Sequence, residues 1–165
     1  MAQQTKGFSD TRIFATAGLL LRESFAKVRN MQTDVKLTVG NSFINNVKRC
    51  TELMRLSYEA EKNNKELKLA YAYVARDCVG MAETDLQIIV VSDMFPGKPK
   101  KGKTGLKTVP TVKSAPCLTG TPELYFRIGD LITQIKGWIN NLEKDFSEEE
   151  ILKIKEKTLN LTFKV

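Results

Sequence analysis

The chain has 165 residues, 42% of them apolar and 27% charged, enough for one domain with a real hydrophobic core and too few for most two-domain enzymes; nothing in this balance points to a disordered chain. It has no histidine, and Cys50, Cys78 and Cys117 lie far apart without a CxxC pair, which argues against di-iron, haem and zinc sites, a histidine-assisted nucleophile and a disulfide framework. The net charge is +7, but six lysines (Lys98, Lys100, Lys101, Lys103, Lys107 and Lys113) fall between Phe95 and Pro116 with no acid among them, so the rest of the chain is close to neutral.

Met1 to Ser9 is polar and is expected to be disordered. From Asp10 to about Arg29, Ile13, Ala17, Leu20, Leu21, Ser24 and Val28 recur at helical spacing, with Phe14 and Phe25 widening the stripe, and predict a first helix. Asn30 to Leu37 reads as a polar connection. Thr38 or Asn41 can cap a second helix running to about Lys62, with Phe43, Val47, Cys50, Met54 and Ser57 on one face and Ile44, Leu53 and Leu56 beside them. This reading buries the thiols of Cys50 and Cys78.

Asn63 and Asn64 mark a tight turn into a third helix from Lys65 to about Asp93, carried by Leu67, Ala70, Val74, Cys78, Met81, Asp85 and Ile88. Its last part, Gln87 to Ser92 (QIIVVS), also fits a buried strand, but continuity with the alanine-rich helix before it favours helix. Phe95 to Gly120 holds four prolines and four glycines, which rules out a long regular element.

Leu124 to Leu142, opened by Thr121 as cap and Pro122, places Leu124, Ile128, Leu131, Ile135, Trp138 and Leu142 in alternating steps of four and three, the seam of a bundle helix. A second row, Tyr125, Ile132 and Ile139, widens that face and suggests either a contact with another subunit or the core of a large monomer. Ser147, with Glu150 at the capping-box position, starts a short amphipathic helix over Glu148 to Lys157. The terminal run LNLTFKV alternates and suits a small strand or a segment lying along a partner.

The predicted fold is all-α: an antiparallel up-down four-helix bundle over residues 10–144, a long basic loop (95–120) between its third and fourth helices, and a C-terminal extension over 145–165 with a short helix and tail. No stretch approaches the roughly 18 uncharged apolar residues of a membrane span, and Met1 to Asp10 lacks signal-peptide order, so a cytoplasmic protein without membrane attachment is expected.

Two signals bear on function. Gly97 to Thr104 (GKPKKGKT) matches the phosphate-binding pattern G-x-x-x-x-G-K-[ST], but that chemistry needs a helix right after the loop, and Gly105, Pro110 and Pro116 follow instead. No later strand ends in a magnesium-binding Asp. Nucleotide hydrolysis is therefore not expected, and no catalytic residue, metal or cofactor is assigned. The second signal is charge itself. Lysines without neighbouring acids attract a polyanion with little sequence preference, so Lys98, Lys100, Lys101, Lys103 and Lys107 are nucleic-acid-binding candidates. Lys48, Arg49 and Arg55 on the second helix and Lys68 and Arg76 on the third are secondary ones. Some of these, with Arg127 on the fourth, must face water or pair with Glu52, Glu59, Glu66 and Glu83.

Lys36-Leu37-Thr38-Val39-Gly40, at the opening of the second helix, and Lys136-Gly137-Trp138-Ile139-Asn140-Asn141-Leu142, near the end of the fourth, resemble the Avd family, the accessory variability determinants of diversity-generating retroelements. Leu118-Thr119 ahead of Tyr125 is similar as well, and the likeness spans about Asp10 to Met94 and Leu118 to Leu142. The resemblance implies a four-helix bundle assembled as a homopentamer. It further implies a non-enzymatic accessory that binds RNA or DNA and a retroelement reverse transcriptase during error-prone copying of a template RNA. The bundle proteins encoded in 23S ribosomal RNA intervening sequences look alike, and they imply the alternative, a structural or interaction module without a polymerase partner. The Phe95 to Cys117 insertion, the Asp145 to Val165 extension and the nearly neutral body depart from the family pattern.

Overall fold

A computed structural model describes residues 7–29, 31, 33, 36–61, 63–94 and 121–162. A 3-10 turn (Phe8–Asp10) leads into α1 (Arg12–Arg29), and a π turn (Lys36–Gly40) runs directly into α2 (Asn41–Glu59). Three further helices follow: α3 (Lys65–Met94), α4 (Thr121–Glu143) and α5 (Glu148–Thr162). Among the described residues the fold is all-helical, with no strand.

The predicted stripes of α1, α2 and α4 are largely buried, but Phe14 and Phe25 of α1 stand exposed. The predicted stripe of α3 is corrected: Val74 and Cys78 are buried, whereas Leu67, Met81 and Ile88 are exposed, because α3 packs against α2, α4 and α5 and covers neighbouring apolar rows instead. Ala17, Leu20 and Val28 of α1, Phe43, Val47, Cys50 and Met54 of α2, and Leu124, Ile128, Leu131 and Ile135 of α4 join Leu69, Tyr73, Val79, Leu86 and Ile89 of α3 in one core. Burying each Leu, Ile or Phe side chain is worth about 1.5–3 kcal/mol, so the core outweighs the weak helix propensity of its β-branched members. The most extensive contact is between α2 and α3; α4 lies against α3 and α1, α1 against α2, and α5 against α3. Ile154 of α5 reaches the same core.

The helix boundaries follow local chemistry. The Thr11 hydroxyl accepts the Phe14 N–H (3.2 Å) and opens α1. Asn64 Oδ1 accepts the Leu67 N–H (3.2 Å) and opens α3 directly after the turn, while α2 has already ended at Glu59 with Ala60 extended. The QIIVVS run is helical, with Ile89 buried, as continuity required. At Ser147 the capping box forms: its N–H donates to Glu150 Oε2 (2.8 Å) and the Glu150 N–H donates to its hydroxyl (3.4 Å). The Ser147 N–H and the Ser147 hydroxyl (2.9 Å) both donate to Glu150 Oε2 and hold the carboxyl below its usual range.

Further expectations are corrected. The expected disorder of Met1 to Ser9 does not extend to Phe8 and Ser9, because Phe8 is buried in the core and fixes the Phe8–Asp10 turn. Neither Thr38 nor Asn41 caps α2, because helical backbone precedes Asn41 and its first amides have carbonyls upstream. Thr121 is the first residue of α4 rather than its cap. The C-terminal helix continues to Thr162, so Leu159 to Thr162 is not a strand. Ile151, Ile154 and Thr158 carry the helical period onward, whereas a lone strand would leave its backbone groups unpaired. The last three residues of the LNLTFKV run, Phe163 to Val165, lie outside the described residues, as does Met1 to Lys6.

Gly40 marks a close approach. A Cβ there would sit 2.8 Å from Val28 Cγ1 and 3.4 Å from Met31 Sδ, so the end of α1 presses on the start of α2 through the missing side chain. Gly40→Ala is expected to destabilise by about 1–3 kcal/mol. A Cβ at Gly18, inside α1, meets nothing within 4 Å, and Gly18→Ala is expected to stabilise by about 0.4–1 kcal/mol. The urea midpoint should fall for Gly40→Ala and rise for Gly18→Ala, and an unchanged or raised midpoint for Gly40→Ala would refute the close approach.

Candidate nucleic-acid interface

The basic segment with Lys98, Lys100, Lys101, Lys103 and Lys107 lies outside the described residues, so the interface is built from the helices. Of the five predicted helical cations, three are engaged. Arg55 pairs one turn on with Glu59 (3.0 Å). The Arg76 guanidinium donates twice to Asp77 Oδ1 (3.1 and 2.9 Å) and lies 5.4 Å from the centre of the Tyr73 ring. Lys68 is half-buried, and its ammonium donates to the Tyr58 carbonyl (3.4 Å). Arg127 is likewise held by Glu23 (2.6 Å).

Lys48 and Arg49 are exposed on α2 and make no ion pair among the described residues. Two residues not singled out from the sequence join them. Arg22 and Arg29 of α1 are exposed and also free of ion pairs among the described residues. Their spacing of seven keeps them on one side of the helix, and α1 packs on α2. The signal was legible: α1 carries Arg12, Arg22, Lys27 and Arg29 against the single acid Glu23. Four exposed cations on two adjoining helices can neutralise phosphates without breaking any pair made among the described residues.

The predicted assembly row is only partly on the surface. Ile139 is 4% exposed and belongs to the chain's own core, while Tyr125 and Ile132 are half-buried against it. Burial, and then Glu83, push the Tyr125 phenol above its ordinary range. Large apolar side chains stand exposed elsewhere: Phe14, Leu19 and Phe25 on α1, and Phe126 on α4.

Cys50 and Cys78 are buried, as expected, and burial raises both thiols, which removes them as nucleophiles. Among the described residues no group of acids and cysteines is placed to hold a metal ion, and no helix is long and apolar enough to cross a membrane. No protein-family profile, curated protein or solved structure matches the chain.

Proposed function

We propose that the protein is a non-enzymatic nucleic-acid-binding accessory that serves a retroelement reverse transcriptase, in the manner of the Avd family. The observation that carries the nucleic-acid part is the set of exposed cations Arg22, Arg29, Lys48 and Arg49, which make no ion pair among the described residues, joined in the sequence by the six-lysine segment. The polymerase partner follows from the resemblance of Lys36–Gly40 and Lys136–Leu142. Helices α1 to α4 form an antiparallel up-down four-helix bundle in this reading, with the basic segment between α3 and α4 and α5 as an added brace. The chain acts in the cytoplasm as a homo-oligomer, a pentamer by the family likeness. The exposed aromatic residues Phe14 and Phe25 of α1 are better suited to subunit contact than the largely covered Tyr125, Ile132 and Ile139 row.

Fluorescence anisotropy with labelled single-stranded RNA and duplex DNA tests the reading. Binding is expected to weaken steeply from 50 to 200 mM salt and to differ little between unrelated sequences. Tight binding that ignores ionic strength would refute it. So would a complete lack of binding at low salt.

A further inference from the structure

A cleft of about 340 Å³ opens between the Phe8–Asp10 turn, the end of α2 and the second half of α4. Three aromatic residues line it, Phe8, Tyr58 and Trp138. Tyr58 and Trp138 stack with ring centres 5.9 Å apart and planes at 29°, and Phe8 leans on Tyr58 at 5.8 Å. The indole is fixed from outside the cleft. Its N–H donates to the Ser57 hydroxyl (3.0 Å), which donates in turn to the Lys68 carbonyl (2.7 Å). A rigid aromatic wall of this kind is prepared for a flat ring.

Gln134, another lining residue, is held behind the wall. Gln134 Nε2 donates to Thr16 Oγ1 and to Asp130 Oδ2, both at 2.9 Å. A carboxylate only accepts, so the amide nitrogen must face Asp130, and this leaves Oε1 buried without a partner. Cations stand at two margins. Arg12 lines the cleft and pairs with Asp130 (2.9 Å) while remaining 77% exposed. Lys144 donates to Asn141, another lining residue (3.2 Å), and makes no ion pair among the described residues.

We propose that this cleft takes one unpaired nucleobase of a bound single strand. The base lies against the aromatic wall and places its flanking phosphates at Arg12 and Lys144. This rests on the nucleic-acid reading above and adds a preference for unpaired strands, since a base inside a duplex cannot reach the wall.

Trp138 is the only tryptophan, so its emission reports on the cleft alone. The full chain is titrated with a 12-nucleotide oligoadenylate RNA and with an abasic strand of equal length, following both tryptophan emission and strand anisotropy. The base-bearing strand is expected to quench Trp138 and the abasic strand to leave it unchanged. Gly137→Leu fills the cleft from a position where a Cβ meets nothing within 4 Å, so a melting temperature at or above that of the unaltered chain is expected. In that variant the quenching should vanish and the affinity for the base-bearing strand should fall roughly 5- to 100-fold, the worth of one stacked base, with abasic binding intact. Strands that bind by anisotropy without quenching, or equal quenching by the abasic strand, would overturn the cleft and leave the nucleic-acid reading standing. If neither strand binds, the nucleic-acid reading fails, and adenosine monophosphate at millimolar concentration decides the cleft: quenching abolished by Gly137→Leu upholds it, and unchanged emission sinks it.

Discussion

Tyr73→Ala is expected to cost about 3–5 kcal/mol of stability, because it empties the site of the largest fully buried side chain. The residue ties three helices together. From α3 its hydroxyl donates to Glu143 of α4 (2.5 Å), and its ring lies 5.2 Å from the Lys155 ammonium of α5. Lys155 in turn approaches Glu143 (3.7 Å). Ile154 also packs α5 into the core, whereas the exposed ion pairs Lys157 to Glu66 and, ahead of the helix, Lys65 to Asp145 contribute little. Tyr73→Phe keeps the packing and loses only a hydrogen bond to a charged group, about 1.5–3 kcal/mol. Urea unfolding of both variants separates the two shares, and equal midpoints for Phe and Ala would mean that the ring contributes nothing.

Tyr73 also gives a sign to pH dependence. Burial first, then the hydrogen bond to Glu143, push the phenol above its ordinary range, against the opposing pull of Arg76. The unfolded chain releases this proton near pH ~10 and the folded chain holds it longer. Its contribution to stability is therefore complete below that pH and declines as the pH rises above it. Tyr73→Phe should remove that part of the alkaline decline.

Periodicity made the helices legible because each buries a stripe against the same core, and a step of three or four residues is visible without neighbours. It carried less at the ends. The π turn at Lys36–Gly40 could not be read from the polar character of its flanks, although Gly40 was there to be noticed; the reason for glycine is Val28, which only the packing brings near. The LNLTFKV run shows alternation over too few residues to separate strand from helix, and the preceding Ile151, Ile154 and Thr158 decide it. A spacing of seven puts Ile139 in a row with Tyr125 and Ile132, but a second row beside a buried seam is as easily covered by neighbouring helices of the same chain, and Ile139 is covered in this way. The partners of Arg55 and Arg76 lie on their own helices. That Lys48 and Arg49 make no ion pair among the described residues, and that Lys68 reaches the Tyr58 carbonyl of α2, depends on neighbours across helices. So does the aromatic cleft, whose Phe8, Tyr58 and Trp138 come from three separate elements.

Replacing Arg22, Arg29, Lys48 and Arg49 together by glutamine is expected to flatten the salt dependence of nucleic-acid binding. Each phosphate neutralised contributes roughly 0.7 to the logarithmic salt slope for single strands, so four lost contacts lower the slope by roughly 3. Between 50 and 200 mM salt the unaltered chain should then lose roughly 60-fold more affinity than the variant. The four residues are exposed and outside any ion pair among the described residues, so the melting temperature should hardly move. Charge reversal at Lys100, Lys101 and Lys103 gives the complementary measurement. If it abolishes binding while the four-residue variant keeps the full slope, the lysine segment alone grips the phosphates and the α1–α2 face is not the interface. If both variants lose slope, and their losses add, the strand runs across helix and segment together, because contacts that release separate counterions contribute independently.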